Sequence, residues 1–283
     1  MKKYFLGSLP LLLIVLVSCQ KEIDWGLGGS AVADPLLIRT LQKTGTDSTD
    51  VHYSYNSSRQ LTEENTTGVS AGTILDNDLK IYRNSSGIIT RTVQVAASLV
   101  AAGVDSLVTL YHYDATAGKY SSAVFTISAL GFTVTDSAVY TTDANGRITK
   151  DDHYLALPGF PYTPVLKDNY TYSADGNNMV STDQSTYSIT TSTYSLVSTT
   201  DYTFDAKTSP LRLNTKNEAI VLVRPALFSI NNATQSQFTD ATTPANNFSN
   251  TNVYTYNGRS RPDSAVSTRN PGAALSDIKY YYQ

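Results

Sequence analysis

Cysteine is almost missing from this chain of 283 residues: Cys19 stands alone, so neither a disulfide framework nor a Cys-based metal site can be built. Charge is sparse too, with 16% Asp, Glu, Lys and Arg, a formal net charge of −3 and no basic run. That balance argues against nucleic acid and anionic membrane surfaces as partners. The polar surface must come mostly from Ser, Thr and Asn, which suits an extracellular β protein. Glutamate is confined to Glu22, Glu63, Glu64 and Glu218. Glu63 and Glu64 are adjacent, and neighbours on a strand face opposite ways, so they form no glycosidase dyad. The histidines, His52, His112 and His153, lack the spacing of a zinc site. "D-D-H-Y" (151–154) is the only dense group of potential ligands, and it reads as a solvated strand face rather than a metal site. No Gly-x-Ser-x-Gly elbow is present, and no Gly-rich phosphate loop precedes a helix. The expectation is a chain that is not an enzyme, with no catalytic residues, no cofactor and no metal. A carbohydrate hydrolase, its carboxylates brought together by folding, is the enzymatic alternative. Helical periodicity is also nearly absent; "VQVAASLVAAG" (93–103) has room for a turn or two, but its β-branched start favours strand.

What is present begins with an address. Lys2 and Lys3 precede "LPLLLIVLV" (9–17), an apolar run too short to cross a bilayer as a helix, and Ser18 then precedes Cys19. "L-V-S-C" resembles the lipobox of bacterial lipoproteins. That resemblance implies a signal peptide over 1–18, cleavage before Cys19 and lipidation of its thiol, which gives stable attachment through two or more acyl chains. "C-Q-K-E-I-D" (19–24) resembles the surface-export signal of Bacteroidota lipoproteins, with Ile23 departing from the acidic run. "W-G-L-G-G-S-A" (25–31) reads as a flexible linker, so residues 19–34 form a lipidated tether. The implied place is the outer membrane, facing outward, with a periplasm-facing anchor as the alternative.

From residue 35 to 283 one unit recurs. Strand ends centred on tyrosine fall at Tyr53, Tyr82, Tyr111, Tyr140, Tyr170 and Tyr202, about 29 residues apart, and resume at Tyr254 and Tyr280. Most read Tyr-x-Tyr, as in "YSY" (53–55), "YHY" (111–113), "YTY" (170–172) and "YTY" (254–256), which puts both rings of a pair on one face of a strand. Turn residues follow: "N-S-S-G" (84–87), "D-A-N-G" (143–146) and "S-A-D-G" (173–176), the signature of a type I turn closed by a left-handed glycine. "N-S-S-R" (56–59) and the longer "D-A-T-A-G" (114–118) predict looser hairpins or another turn type. "AIVLVRPALFSI" (219–230) reads as strand, break at Pro225, strand. "LALPGFPYTPVL" (155–166) and "NNATQSQFTDATTPANNFSN" (231–250) read as loop insertions, and "I-K-Y-Y-Y-Q" (278–283) as a closing strand paired with the hairpin around Tyr254. The expected fold is all-β, an antiparallel meander of about fourteen to sixteen strands in ~29-residue hairpins. It forms a long curled sheet that can close on itself as a barrel or sandwich.

"YTTDANGRITK" (140–150) resembles the YD/Rhs-type repeats of bacterial surface proteins, and residues 36–283 resemble Tyr-rich Bacteroidota lipoproteins of unknown function. These resemblances imply architecture and habitat rather than an activity. The tyrosines read first as packing, each ring buried with its hydroxyl wet or bonded. The competing reading is a platform on which sugar rings stack, using Tyr53, Tyr111, Tyr113, Tyr170, Tyr172, Tyr202, Tyr254 and Tyr256. "D-S-T" (47–49), "D-S-L" (105–107), "D-S-A" (136–138) and "D-S-A" (263–265) resemble the sequence at which Bacteroidota O-glycosylate exported proteins, which would place glycans on Ser48, Ser106, Ser137 and Ser264; a turn-capping role for Asp-Ser is the plain alternative. The function expected is a non-catalytic surface lipoprotein serving as a scaffold, with a glycan-binding module as the alternative. Its partners would be the membrane, through the lipid, and a glycan or another envelope protein. A lipid-spanning barrel is disfavoured because the strands are rich in Ser and Thr on both faces.

Overall fold

The computed structural model describes residues 34–283 except 71, 130–131, 158, 212–216, 223–224 and 273–274. The signal peptide (1–18), Cys19 and the tether up to residue 33 lie outside the described residues. The strands run in chain order as β1 Leu37–Thr44, β2 Asp47–Tyr55, β3 Leu61–Ser70, β4 Thr73–Arg83, β5 Ile89–Ala96, β6 Leu107–Asp114, β7 Lys119–Ala129, β8 Phe132–Thr142, β9 Ile148–Ala156, β10 Thr163–Tyr172, β11 Met179–Ser188, β12 Thr193–Thr208, β13 Asn231–Asp240, β14 Phe248–Tyr256, β15 Pro262–Asn270 and β16 Leu275–Tyr282. Each pairs antiparallel with its sequence neighbours, and β16 pairs with both β15 and β1, closing a sixteen-stranded barrel. Closure leaves no edge strand to be protected. The curled meander therefore closes as a barrel, not a sandwich.

The repeat is built by its turns, six of which share one end of the barrel. Asn84 accepts the Gly87 amide through its carbonyl, and its side chain accepts the amides of Ser86 and Ile88. Asp143 does the same for Gly146, Asn145 and Arg147. Gly87 and Gly146 sit at φ +75° and +77°, where a Cβ is unfavourable. Arg59 does not produce the other turn type expected of it. It adopts φ +62° in the same turn, as Ser260 does at +57°, because Asn56 and Asn257 accept the same amides and hold the geometry. The "D-A-T-A-G" turn does differ: residues 115–118 all turn between Asp114 and Lys119. Left-handed φ disfavours an L residue by about 1–2 kcal/mol. Ser260→Gly is thus expected to stabilise the barrel by up to about 1 kcal/mol after the entropy of glycine is subtracted. A lowered urea midpoint in that variant would contradict the turn assignment.

Each turn is followed by a bulge, and the bulge sets the core. Opposite the second inward residue of each hairpin stands a bulky one that opens the return strand: Tyr55 faces Leu61, Arg83 faces Ile89, Tyr113 faces Tyr120, Tyr172 faces Met179 and Tyr256 faces Pro262. These opening residues, with Ile148, are among the most buried in the protein. A latch recurs beside them. The hydroxyls of Tyr55, Tyr172 and Tyr282 donate to the carbonyls of Leu37, Ile148 and Pro262, in each case the first residue of the preceding strand. Arg83 occupies the same place in β4 and donates to the equivalent carbonyl, Leu61. Tyr82 is consequently not a member of the tyrosine ladder despite its regular spacing. It points outward and is 40% exposed, while Ile81 takes the inward position.

The two stretches between residues 219 and 250 differ from expectation. "AIVLVRPALFSI" is not a pair of strands: it holds a short helix, α2 Glu218–Val221, and a 3-10 turn, Pro225–Phe228. This connection between β12 and β13 folds into the turn end of the barrel, where Ala219, Ile220, Val221, Leu222 and Phe228 pack against the opening residues and the inward tyrosines. An aliphatic stretch buried inside a closed wall satisfies its backbone locally, so a helical turn replaces the strand. Asn217 accepts from the Ile148 amide and donates to the Gly146 carbonyl, while Ser229 accepts from the Met179 amide. The plug thereby satisfies amides that the bulges leave unpaired. Residues 231–250 are not a loop insertion but β13, a 3-10 turn at Pro244–Asn246 and the start of β14. The 155–166 insertion shrinks to residues 157–162, between β9 and β10, and 93–103 is split between β5 and a short helix, α1 Ala97–Ala101.

Candidate functional site

Strand alternation gives this barrel two unlike walls. The register that turns Tyr53 and Tyr55 inward turns His52 and Asp50 outward, beside Arg39. The outer wall also carries Lys80 with Glu63 and Asp78, Lys150 with Asp152, and Lys167, Asp183, Asp277 and Lys279. Arg39 makes two bonds to Asp50, at 2.7 and 2.8 Å. Outward aromatics are matched to cations: Arg91 lies over Tyr82 at 4.2 Å, Lys167 over Tyr194 at 4.4 Å and Arg39 over Tyr281 at 5.1 Å. A bilayer-facing wall requires an apolar band about 25 Å tall, and Arg or Lys at its midplane costs about 2–4 kcal/mol each. Between these charges the same wall also exposes apolar side chains, among them Leu110, Val139, Leu196, Val253 and Val266.

The lumen is layered. At the turn end it is filled by the plug and the aromatic ring. Towards the other end the inner wall is polar, with Gln42, Thr44, Ser236, Asn252, Ser267 and Arg269 around a hollow of about 370 Å³. Against β4 to β9 lies a cavity of about 310 Å³ with Val221 and Leu222 of the plug as its floor. Its wall includes Tyr111, Phe125, Tyr140, Asp151 and His153. "D-D-H-Y" is therefore not one solvated face. Asp151 and His153 point inward, and Asp152 and Tyr154 outward. His153 lies between two carboxylates, with Nδ1 3.0 Å from Asp136 and Nε2 3.3 Å from Asp151. Asp168 stands beside Asp151 on the next strand and accepts from the Gln184 amide at 3.2 Å. Among the described residues, no group of three or more His, Cys, Asp or Glu is arranged to hold a metal ion.

The electrostatics follow from burial. Desolvation alone would lower the His153 imidazole from its ordinary 6.5, but hydrogen bonds to Asp136 and Asp151 outweigh it and push it up to about 10. Burial raises Asp168, with the Gln184 bond opposing and the Asp151 charge adding. Burial, and then the Asp151 charge, hold the hydroxyls of Tyr140 and Tyr170 well above the usual tyrosine range. A group whose pKa rises on folding stabilises the fold fully below its unfolded value and less as pH climbs through the folded one. The His153 contribution is thus complete below about pH 6.5 and lost by about pH 10. Melting temperature should fall across that window, by the equivalent of about 2 kcal/mol or more, and His153→Gln should flatten the fall. Parallel profiles for the two proteins would show that His153 is not paired in this way.

The sugar-platform residues Tyr53, Tyr111, Tyr113, Tyr170, Tyr172, Tyr202, Tyr254 and Tyr256 all stand on the inner wall, and none is exposed. Ser48, Ser137 and Ser264 lie on the outer wall and Ser106 just before β6, each half-buried. His52 and His112 occupy corresponding outward positions. The sequence reading missed Asp136, Asp168 and Gln184. Their only signal was inward parity with the Tyr140 and Tyr170 positions.

These features define a plugged, sixteen-stranded up-and-down barrel whose outer wall carries charged residues. The same fold occurs in a porin-like protein from Bacteroides uniformis, at 12% identity and a TM-score of 0.52, over 87% of this chain and 98% of that one. It occurs again in a porin-like protein from Bacteroides vulgatus, at 9% identity and a TM-score of 0.55, over 88% and 99%. At these identities the likeness is one of fold. No family model matches the chain, and no curated protein matches it.

Proposed function

We propose that this chain is a non-catalytic lipoprotein of the outer membrane, tethered through Cys19, whose barrel stands in water as a scaffold and cup. The observation that carries the reading is the charged outer wall. The six cations Arg39, Lys80, Arg91, Lys150, Lys167 and Lys279 would together cost on the order of 10 kcal/mol in lipid, comparable to the whole stability of a domain. The lipobox and the Gln-Lys-Glu stretch after Cys19 support outward-facing attachment. Outer-wall hydroxyls at Ser48, Ser137 and Ser264 would be accessible to O-glycosylation.

The barrel closes on itself and carries its own core, so residues 35–283 are expected to fold without the segment before them. Placed behind a conventional secretory signal in place of residues 1–34, it is expected in the soluble periplasmic fraction, monodisperse without detergent. The full chain is expected in the outer-membrane fraction. A lipid-free barrel that stays with the membrane, or requires detergent, would contradict the proposal.

A further inference from the structure

The lumen cavity contains one group that the fold leaves unsatisfied. Asp151 has a side chain only 7% exposed; its Oδ2 faces His153, and its Oδ1 has no hydrogen-bond partner among the described residues. A buried carboxylate oxygen without a donor is costly, on the order of 1–3 kcal/mol or more. Two other buried side-chain oxygens, on Asp78 and Asn232, share this condition. Asp78 faces outward beside Lys80, and Asn232 lies against Asp205 and Tyr256. Asp151 alone of the three borders the cavity.

The surroundings define what would satisfy it. The charge of His153 is shared between Asp136 and the other oxygen of Asp151, and Asp168 adds a third carboxyl group to the cluster. Among the described residues no Lys or Arg lines the cavity, so nothing of the protein's own offsets the excess of carboxylates. The rest of the lining is mostly apolar or aromatic, with Val221 and Leu222 below and Leu79, Phe125, Tyr111 and Tyr140 around, joined by the neutral polar side chains of Thr92, Gln94 and Thr109. A volume of about 310 Å³ falls at the small end of ligand pockets. Aromatic faces beside a carboxylate attract organic cations.

We propose that this cavity binds a small organic ammonium ion, an amine carried on a flat apolar body. Its N–H donors meet Asp151 Oδ1, and its body lies on the plug floor between the rings of Tyr111 and Tyr140. A neutral polyol fits less well: Thr92, Gln94 and Thr109 could meet its hydroxyls, but it brings no positive charge to the excess of carboxylates and no flat apolar face to the floor and rings. The inference rests on the reading of the barrel as a water-filled cup, and it gives that cup a ligand class.

The test titrates three probes of similar shape, tyramine, 4-ethylphenol and 3-(4-hydroxyphenyl)propionate, into the lipid-free barrel by calorimetry, with N-acetylglucosamine as a polyol. Tyramine is expected to bind saturably at one site, and the neutral, anionic and sugar probes to bind at least about 30-fold more weakly, the discrimination expected of a buried charge pair. Asp151→Asn should weaken tyramine by a similar factor. Thr109→Trp, which fills the cavity from β6 without touching the carboxylates, should abolish binding while the melting transition is kept. Folded, monodisperse barrel that does not bind tyramine, or binds 4-ethylphenol or the sugar equally well, overturns this inference and leaves the water-borne barrel standing. Undiminished tyramine binding in both variants overturns the site. Failure of the barrel to remain soluble overturns the reading beneath it.

Discussion

Glu218→Gln is expected to destabilise the barrel by about 3–5 kcal/mol, the loss typical of breaking one side of a buried ion pair. Glu218 opens the short helix of the plug and meets Arg83 of β4 in a two-pronged contact, 2.5 and 2.9 Å, with side chains 8% and 4% exposed. The same guanidinium holds the carbonyls of Leu61 and Gly87, so its five donors join a strand opening, a hairpin and the plug. Removing the carboxylate charge leaves a guanidinium in the core with carbonyls alone to face. Urea denaturation of wild type and variant measures the difference. A loss below about 1 kcal/mol would mean that the plug is not held by this pair. A paired replacement, Arg83→Met with Glu218→Leu, should recover much of the loss, since apolar residues can substitute for a buried pair.

Phe228→Ala should cost about 3–5 kcal/mol, the range for truncating a fully buried aromatic. Phe228 is 3% exposed and lies 4.8 Å, centroid to centroid, from Tyr172, the tyrosine that latches onto Ile148. The loss should therefore combine a cavity with a loosened latch. Phe160→Ala supplies the contrast: that ring is 70% exposed in the β9–β10 connection, and its removal should change stability by less than about 0.5 kcal/mol. Similar losses at the two positions would show that the plug does not fill the turn end. Calorimetric melting of both variants decides it.

The hairpin grammar was legible because it is local. An Asn, Asp or Ser followed three residues later by a left-handed position writes five of the six turns into four letters, and Tyr-x-Tyr writes the inner face into three. Where the signal was spacing alone, it misled. Tyr82 keeps the 29-residue interval yet stands on the outer wall, because Ile81 and Arg83 take the inward places and Arg83 makes the bonds of the missing tyrosine. The plug was read as strands because its β-branched, apolar letters suit either state. What decides is that the β12–β13 connection lies inside a closed wall, a fact of topology that no local window contains. Residues 231–250 read as a loop for the opposite reason. Towards the polar end of the lumen, β13 and β14 carry polar side chains such as Ser249 and Thr251 outside and Ser236, Asn250 and Asn252 inside, so alternation of hydrophobicity disappears. The Asp136–His153–Asp151 group joins β8 to β9 across a hairpin, and parity with the tyrosines was its only trace.

The proposed tethered barrel requires an outer wall that meets water along its whole height. Single cysteines at Ser249, Thr251, Val253 and Thr255, the outward positions of β14, can carry nitroxide labels in the membrane-tethered chain. Electron paramagnetic resonance then compares access by oxygen with access by a water-soluble nickel chelate. High nickel access and low oxygen preference are expected at all four positions. A run of oxygen-rich, nickel-shielded positions would place the wall in lipid and contradict it.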